Sequence, residues 1–305
     1  MLPYLYQAPD GGVSLPTYGL LLMLAFVAGT TVGFFRLRRV GIHPDLLPGL
    51  VMIAVVLGIF GARLLHFLGS EPSTLFKNPL VLLKLNTGGM AVYGGVLAAS
   101  LGCFFFAKKK DANPWKLSDA LLPCFFLALA IGRMGCTAAG CCHGAVIPGG
   151  QWSSLTGEML PGGQFVSTEG FPWIAALYNQ GVGVGRIWDV PVYPTQAWEM
   201  LGALCLFGLL SWTWAKKRRF DGQIVAIGMM IYPALRSSIE HFRGDTLRGV
   251  DHFGLLSTSQ VVSVLVALCG LWIWRVRSPF GLEAELALTR EAEEIDEELF
   301  GEERN

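Results

Sequence analysis

The sequence predicts an all-α integral membrane protein with about seven transmembrane helices. Its N-terminus is expected outside and its C-terminus in the cytoplasm, with a small external cap between spans four and five. Three observations carry this. Of the 305 residues, 52% are hydrophobic and only 15% charged, whereas soluble proteins carry about 25% charged residues. The apolar residues gather in seven stretches, at about 17–35, 49–68, 89–107, 117–136, 194–214, 222–240 and 257–274. Each is close to the roughly 20 apolar residues that cross about 30 Å of hydrocarbon. Lys and Arg, finally, fall unevenly between the stretches.

That unevenness sets the orientation, because basic residues favour cytoplasmic loops. With the N-terminus outside, the cytoplasmic ends hold Arg36, Arg38, Arg39, Lys108, Lys109, Lys110, Lys116, Lys216, Lys217, Arg218, Arg219, Arg275 and Arg277. The external loops hold only Lys77, Lys84, Arg186, Arg243 and Arg248. Turn chemistry separates the spans at Pro44, Pro48, Asn113-Pro114 and Asp221-Gly222. No internal repeat is visible, which argues against an inverted-repeat transporter. The first residues lack a basic region followed by a short apolar run and a cleavage site, so no secretory signal peptide is expected. Residues 137–193 make one external insertion rich in Gly, Pro and aromatics, long enough for a folded cap bordering a binding site. The last 25 residues, 281–305, hold 10 of the chain's 23 acidic residues and read as an acidic cytoplasmic tail. Formal net charge is zero, and no nucleic-acid partner is expected.

Three arginines stand where lipid should be: Arg63, Arg133 and Arg236. Each costs about 2.5–3.5 kcal/mol at the centre of a spanning helix, so each should face the protein interior and meet an anion. For Arg63, in GIFGARLLHF, an internal salt bridge or a snorkelling side chain explains it as well as a ligand does. Arg133 lies among small residues in AIGRMGCTAAGCCHG, which leave room for close approach. Arg236 opens RSSIEHFR, where Glu240 and Arg243 share its helical face. Both fall near the external ends of their spans. Two guanidinium groups there suit a phosphate, which Arg binds through paired hydrogen bonds. In YPTQAWE, Pro194 is placed to open a helix, and Gln196 and Glu199 share one face. In NTGGMAVYGG, glycine pairs bracket Tyr93; Gly94 and Gly95 either pack helices closely or let a lipid headgroup rest on backbone.

The cluster Cys136, Cys141, Cys142 and His143 invites a metal or a redox reading. Adjacent cysteines lack the usual two-residue ligand spacing, and no Cys-x-x-Cys pair is present. Structural or reduced thiols are expected instead, with an external disulfide chemically permitted.

Seven motifs in order, TYG (17–19), GAR (61–63), GGMAVYGG (88–95), GRMGCTAAGCCHG (132–144), YPTQAWE (193–199), RSSIEHFR (236–243) and STSQ (257–260), resemble the prolipoprotein diacylglyceryl transferase family. The likeness runs from about residue 16 to 275. It implies a multi-pass enzyme of the bacterial plasma (inner) membrane, with its site facing the periplasmic or external side. The implied partners are phosphatidylglycerol, the prolipoprotein signal peptide with its lipobox cysteine, and membrane lipids. No metal or soluble cofactor is implied. The resemblance gives phospholipid binding to Arg133 and an essential role to Arg236, and it matches Tyr18, Glu240 and Arg243 to family positions. Catalysis is accordingly expected from Arg133, Arg236 and Tyr93, and substrate binding from Arg133, Tyr18, Gly94, Gly95, Gly140, Gln196, Glu199, Glu240 and Arg243. Many members have a histidine, proposed as the base, where this chain has Tyr93; His143 is the other candidate. Cys136 and Cys141 replace an Asn and a Glu of the commoner motif. The expected organisation is a transmembrane catalytic domain over 1–280, including the 137–193 insertion, followed by the tail. The alternatives are a membrane thiol oxidoreductase built on Cys136, Cys141 and Cys142, or an inactive paralogue.

Overall fold

A computed structural model describes residues 4–7, 14–70, 72–83, 91–139, 141–142, 144, 193–242 and 260–279. Most of the expected external insertion, the acidic tail, Gly140, His143 and Arg243 lie outside the described residues.

A short antiparallel hairpin comes first, β1 (Tyr4–Gln7) paired with β2 (Ser14–Pro16). The sequence reading passed over it, although Pro9-Asp10-Gly11-Gly12 is turn chemistry. The helices follow: α1 (Thr17–Arg39), α2 (Leu46–Ser70), α3 (Pro72–Lys77), a 3-10 turn over Pro79–Leu83, α4 (Val92–Lys109), α5 (Pro114–Ala139), α6 (Thr195–Lys216), α7 (Gln223–Glu240) and α8 (Gln260–Pro279). Each of the seven apolar stretches therefore coincides with a long helix. Four of these (α1, α2, α5 and α8) are long and apolar enough to cross a membrane by length and composition.

The helix boundaries have local causes. Asn113 caps α5, its Oδ1 accepting from the N–H groups of Trp115 at 3.0 Å and Lys116 at 3.3 Å. Pro114 follows at the position where a missing N–H is harmless. Gly222 precedes α7 at φ 101°, a left-handed conformation that suits glycine. Pro194 stands just before α6 rather than inside it: its carbonyl accepts the N–H of Trp198 at 3.1 Å, and helix bounds shift by a residue with such caps.

Large apolar side chains cover the outside of these helices, including Met52 (69% exposed), Phe105 (63%) and Trp272 (65%). Patches of that extent mark a surface that meets lipid or a partner. Buried instead are Arg63, Asp119, Thr195, Gln196 and Glu199. Apolar outside and polar inside is the arrangement expected of a chain dissolved in lipid.

The chain forms two compact units, one of residues Met1–Gly29 and Leu122–Asn305, the other of Thr30–Leu121. In the second, α2 and α4 approach closely enough for their backbones to touch. A Cβ on Gly61 would lie 2.5 Å from the Gly94 carbonyl oxygen, and one on Gly95 would lie 2.7 Å from the Gly58 carbonyl. Ala91 N–H also donates to the Ala62 carbonyl at 2.9 Å. Small residues permit this approach, which is how helices associate where lipid removes the hydrophobic drive between them. Leu37, Leu50, Ala107, Leu117 and Ala120 form the core of that unit. In the first unit, Phe126 and Ala130 of α5 pack with Ala203, Leu206 and Leu210 of α6 and Ile224 of α7.

Candidate active site

One group of polar residues of the first unit collects at one end of its helices. Arg133 lies six residues before the end of α5 and Glu199 in the first turns of α6, while Tyr232 and Arg236 sit near the end of α7. Arg133 Nη2 donates to Glu199 Oε1 at 2.6 Å, with only 18% and 2% of the two side chains exposed. Tyr232 OH donates to the same Glu199 oxygen at 3.3 Å. The Nε of Arg133 is buried with no hydrogen-bond partner among the described residues. A buried donor left open costs about 1–3 kcal/mol.

The surroundings of Arg133 explain the run of small residues around it. Tyr18, at the start of α1, packs its ring on Gly135, whose Cβ would lie 3.1 Å from Tyr18 Cδ2. The position of a Cβ on Gly132 meets no described atom within 4 Å. One of these glycines therefore admits an aromatic ring, and the other has open space at its Cβ position among the described residues.

One turn beyond Tyr232 on α7, Arg236 is ion-paired with Glu240, both side chains largely buried. The pairing expected from their spacing of four is present. Tyr232, Arg236 and Glu240 make one stripe on α7. Tyr232 was missed by the sequence reading; its place four residues before Arg236 was the signal available.

Gln196 and Glu199 share a buried face as expected, but each engages protein. Glu199 is the counterion of Arg133. Gln196 Nε2 donates to the Cys141 carbonyl at 2.6 Å, and Thr195 Oγ1 donates to the Cys142 carbonyl at 3.0 Å. The turn that ends α5, where Cys141 N–H donates to the Cys136 carbonyl at 3.1 Å, is thus pinned to the start of α6. A further bond runs from Gly144 N–H to the Tyr193 carbonyl at 2.8 Å. The rings of Tyr193, Trp198 and Phe242 pack together, with centroids 5.1–5.9 Å apart, and tie α6 to the end of α7.

Cys136, Cys141 and Cys142 are all thiols, with their Sγ atoms within 4.8 Å of one another. Hydrogen bonding with Cys136 first, then with Cys142, and burial third push the Cys141 thiol up.

The other predicted residues belong to the second unit. Tyr93 lies half-buried in the first turn of α4. Gly94 and Gly95 are buried against α2, so of the two readings open for that pair the structure supplies the helix-packing one. Arg63 is wholly buried; its Nη2 donates to the Val81 carbonyl at 2.8 Å and its guanidinium stands 5.3 Å from the Phe67 ring centroid.

The chain is similar to known proteins over most of its length. The chain is 28% identical over 265 residues to phosphatidylglycerol--prolipoprotein diacylglyceryl transferase 2 of Clostridium perfringens, covering 87% of this chain and 92% of that protein. A protein of Legionella pneumophila named phosphatidylglycerol--prolipoprotein diacylglyceryl transferase is 28% identical over 268 residues, covering 87% and 93%. One of that same name from Finegoldia magna is 27% identical over 260 residues, covering 85% and 90%. The model of the family described as prolipoprotein diacylglyceryl transferase matches residues 3–276, from the N-terminal hairpin through α8. Apolar helices that bury arginine and glutamate, and a family match across nearly the whole chain, lead to one assignment: this multi-pass membrane protein belongs to the prolipoprotein diacylglyceryl transferase family.

Proposed function

We propose that the chain transfers the diacylglyceryl group of phosphatidylglycerol to the lipobox cysteine thiol of secreted prolipoproteins, at the outer face of a bacterial plasma membrane. The observation that carries this reading is Arg133, fixed by Glu199 at 2.6 Å with its buried Nε left open. Sulfur displaces glycerol phosphate from a glycerol carbon, so negative charge grows on the departing phosphate. Donors already in place stabilise that charge without reorganising. Arg133 supplies the first donor. Arg236, held by Glu240, supplies the second, from the neighbouring turn to Tyr232. Tyr18 lines the approach to Arg133, and Tyr93 is the acceptor we assign to the thiol proton. Membrane lipids surround the apolar helix faces, and the peptide enters beside the lipid.

Orientation belongs to the same proposal. All seven long helices cross the bilayer, with the N-terminus outside. The basic residues Lys216 to Arg219 stand at the opposite end of α6 from Glu199, about 25 Å away at 1.5 Å per residue. Basic ends face the cytoplasm, which leaves the Arg133 end outside. Labelling of single cysteines introduced at positions 110 and 217 should report cytoplasmic locations, and at 165 an external one. An external position 217 would overturn the seven-span arrangement.

The activity is measured as transfer of labelled diacylglyceryl from phosphatidylglycerol to a lipobox peptide, with the Cys-to-Ser peptide as blank. Arg133→Lys keeps the charge but loses the planar fork and should still impair transfer, and Arg133→Ala should cost transition-state stabilisation of about 2–4 kcal/mol, or 30- to 1000-fold in rate. Full turnover by Arg133→Lys would contradict the clamp. No transfer by the parent protein would contradict the reaction itself.

A further inference from the structure

We propose that Cys136, Cys141 and Cys142 form a three-thiolate site for a divalent ion of the zinc class, with the fourth coordination position open to the thiol of the incoming peptide. The ligands do not depend on the transferase reading; the substrate thiol at the open position does.

The geometry comes first. The three Sγ atoms lie within 4.8 Å of one another. Tetrahedral zinc with bonds of about 2.3 Å sets sulfur ligands roughly 3.8 Å apart. Side-chain rotation alone closes a gap of that size. Spacing along the chain argued against a metal, because two intervening residues normally let a turn aim both ligands at one ion. Here the backbone does this for adjacent residues. Cys142 has φ 62°, a left-handed conformation uncommon for a residue with a side chain. It turns the chain so that Cys141 and Cys142 both face Cys136 across the end of α5.

The turn is also built to stay. Gln196 and Thr195, each 1% exposed, donate to the carbonyls of Cys141 and Cys142, and Cys141 N–H donates to the Cys136 carbonyl. Buried polar side chains that hold the backbone of ligand residues are what a metal site requires around its ligands. Charge fits as well. Three thiolates around a divalent ion carry one net negative charge, and Arg133 is in electrostatic contact with Cys136 and Cys142.

Three protein ligands and one open position is the pattern of a catalytic rather than a structural zinc site. Such a site would serve the chemistry in this chain. A free thiol is only a few per cent ionised at neutral pH, whereas a thiol bound to zinc is deprotonated outright. On coordination the peptide S–H loses its proton to water. The metal-bound sulfur then donates its electron pair to the glycerol carbon, forming the C–S bond. The C–O bond to phosphate breaks and its electron pair leaves on glycerol phosphate beside Arg133. The neutral thioether is a poorer ligand than the thiolate and departs. No electrons are gained or lost overall.

The test uses purified full-length protein in detergent, stripped with chelator and titrated with Co²⁺ as an optical probe and with Zn²⁺. One equivalent of Co²⁺ should bind and give a sulfur-to-metal charge-transfer band. Addition of the lipobox peptide should strengthen that band by about one-third, from three thiolates to four, while the Cys-to-Ser peptide should not. Cys136→Ser, Cys141→Ser and Cys142→Ser should each weaken binding at least about 10-fold at unchanged thermal stability, and Cys205→Ser with Cys269→Ser should leave it intact. Stripped protein should lose transfer and regain it with Zn²⁺. The site is overturned by an absent Co²⁺ band in folded, reduced protein, by a disulfide among the three cysteines in active protein, or by full transfer after stripping. A normal Co²⁺ titration in a protein that never transfers lipid would overturn the transferase reading and the peptide's place at the fourth position, and leave the metal site standing.

Discussion

Arg63 and Arg133 are the same residue in the same predicament, a guanidinium buried in an apolar helix, and their surroundings answer it differently. Arg63 in α2 meets partners of its own unit, a backbone carbonyl at 2.8 Å and an aromatic face at 5.3 Å, and it buries its Nε as Arg133 does. It fastens the 3-10 turn after α3 to the helix before it. Arg133 in α5 has a carboxylate at 2.6 Å, which is shared with Tyr232, and a buried Nε that nothing described completes. The first is a fastener, whose worth lies in stability. The second is paired with a carboxylate instead, and we read it as a charge held ready for a phosphate. In a lipid-dissolved chain, the cost of burying an arginine does not reveal its purpose. What its donors face does.

The comparison can be broken in several ways. Glu199→Ala should have the largest effect, since it leaves Arg133 buried without its counterion, at a cost of about 3–5 kcal/mol. Thermal unfolding in detergent should show the loss together with a fall in transfer. Arg63→Leu should lower stability by about 1.5–3 kcal/mol, the worth of a charged hydrogen bond, while the rate per folded molecule stays within about twofold. A rate collapse at normal stability would place Arg63 in the site. Gly94→Ala forces a Cβ against the Gly61 carbonyl and should cost about 1–3 kcal/mol by overpacking, read as an earlier unfolding transition. Unchanged stability with a raised KM for phosphatidylglycerol would return Gly94 to headgroup binding. Tyr232→Phe is the mildest. It removes one hydrogen bond to Glu199, about 0.5–1.5 kcal/mol, and should slow transfer by no more than about 10-fold.

Much of this was legible in the sequence because lipid makes charge conspicuous. The seven stretches, the placement of Arg133 and Arg236 near helix ends, and the Arg236–Glu240 spacing all follow from periodicity and from the rarity of charge in apolar runs. Three features were not legible, each for a physical reason. Glu199 pairs with Arg133 across 66 positions, and nothing local in YPTQAWE announces a partner on another helix. Tyr232 sits in an apolar run, where an aromatic residue is unremarked until its hydroxyl is placed. The convergence of three thiols depends on the φ of Cys142, which spacing cannot show. The glycine pair at Gly94 and Gly95 left two readings open because close approach to a helix and to a headgroup ask for the same residue.

The central claim is that Arg133 is held for a phosphate and not for the fold. The most direct test is the double variant Arg133→Met with Glu199→Leu, which removes both charges together. Replacing a buried pair with apolar residues of similar size is often neutral or stabilising, so this variant should unfold at or above the parent temperature. Its transfer of diacylglyceryl from phosphatidylglycerol to the lipobox peptide should nevertheless fall at least about 30-fold, the lower bound for a lost transition-state donor. Parent-like transfer by this stable double variant would contradict the account and reduce the pair to a structural salt bridge.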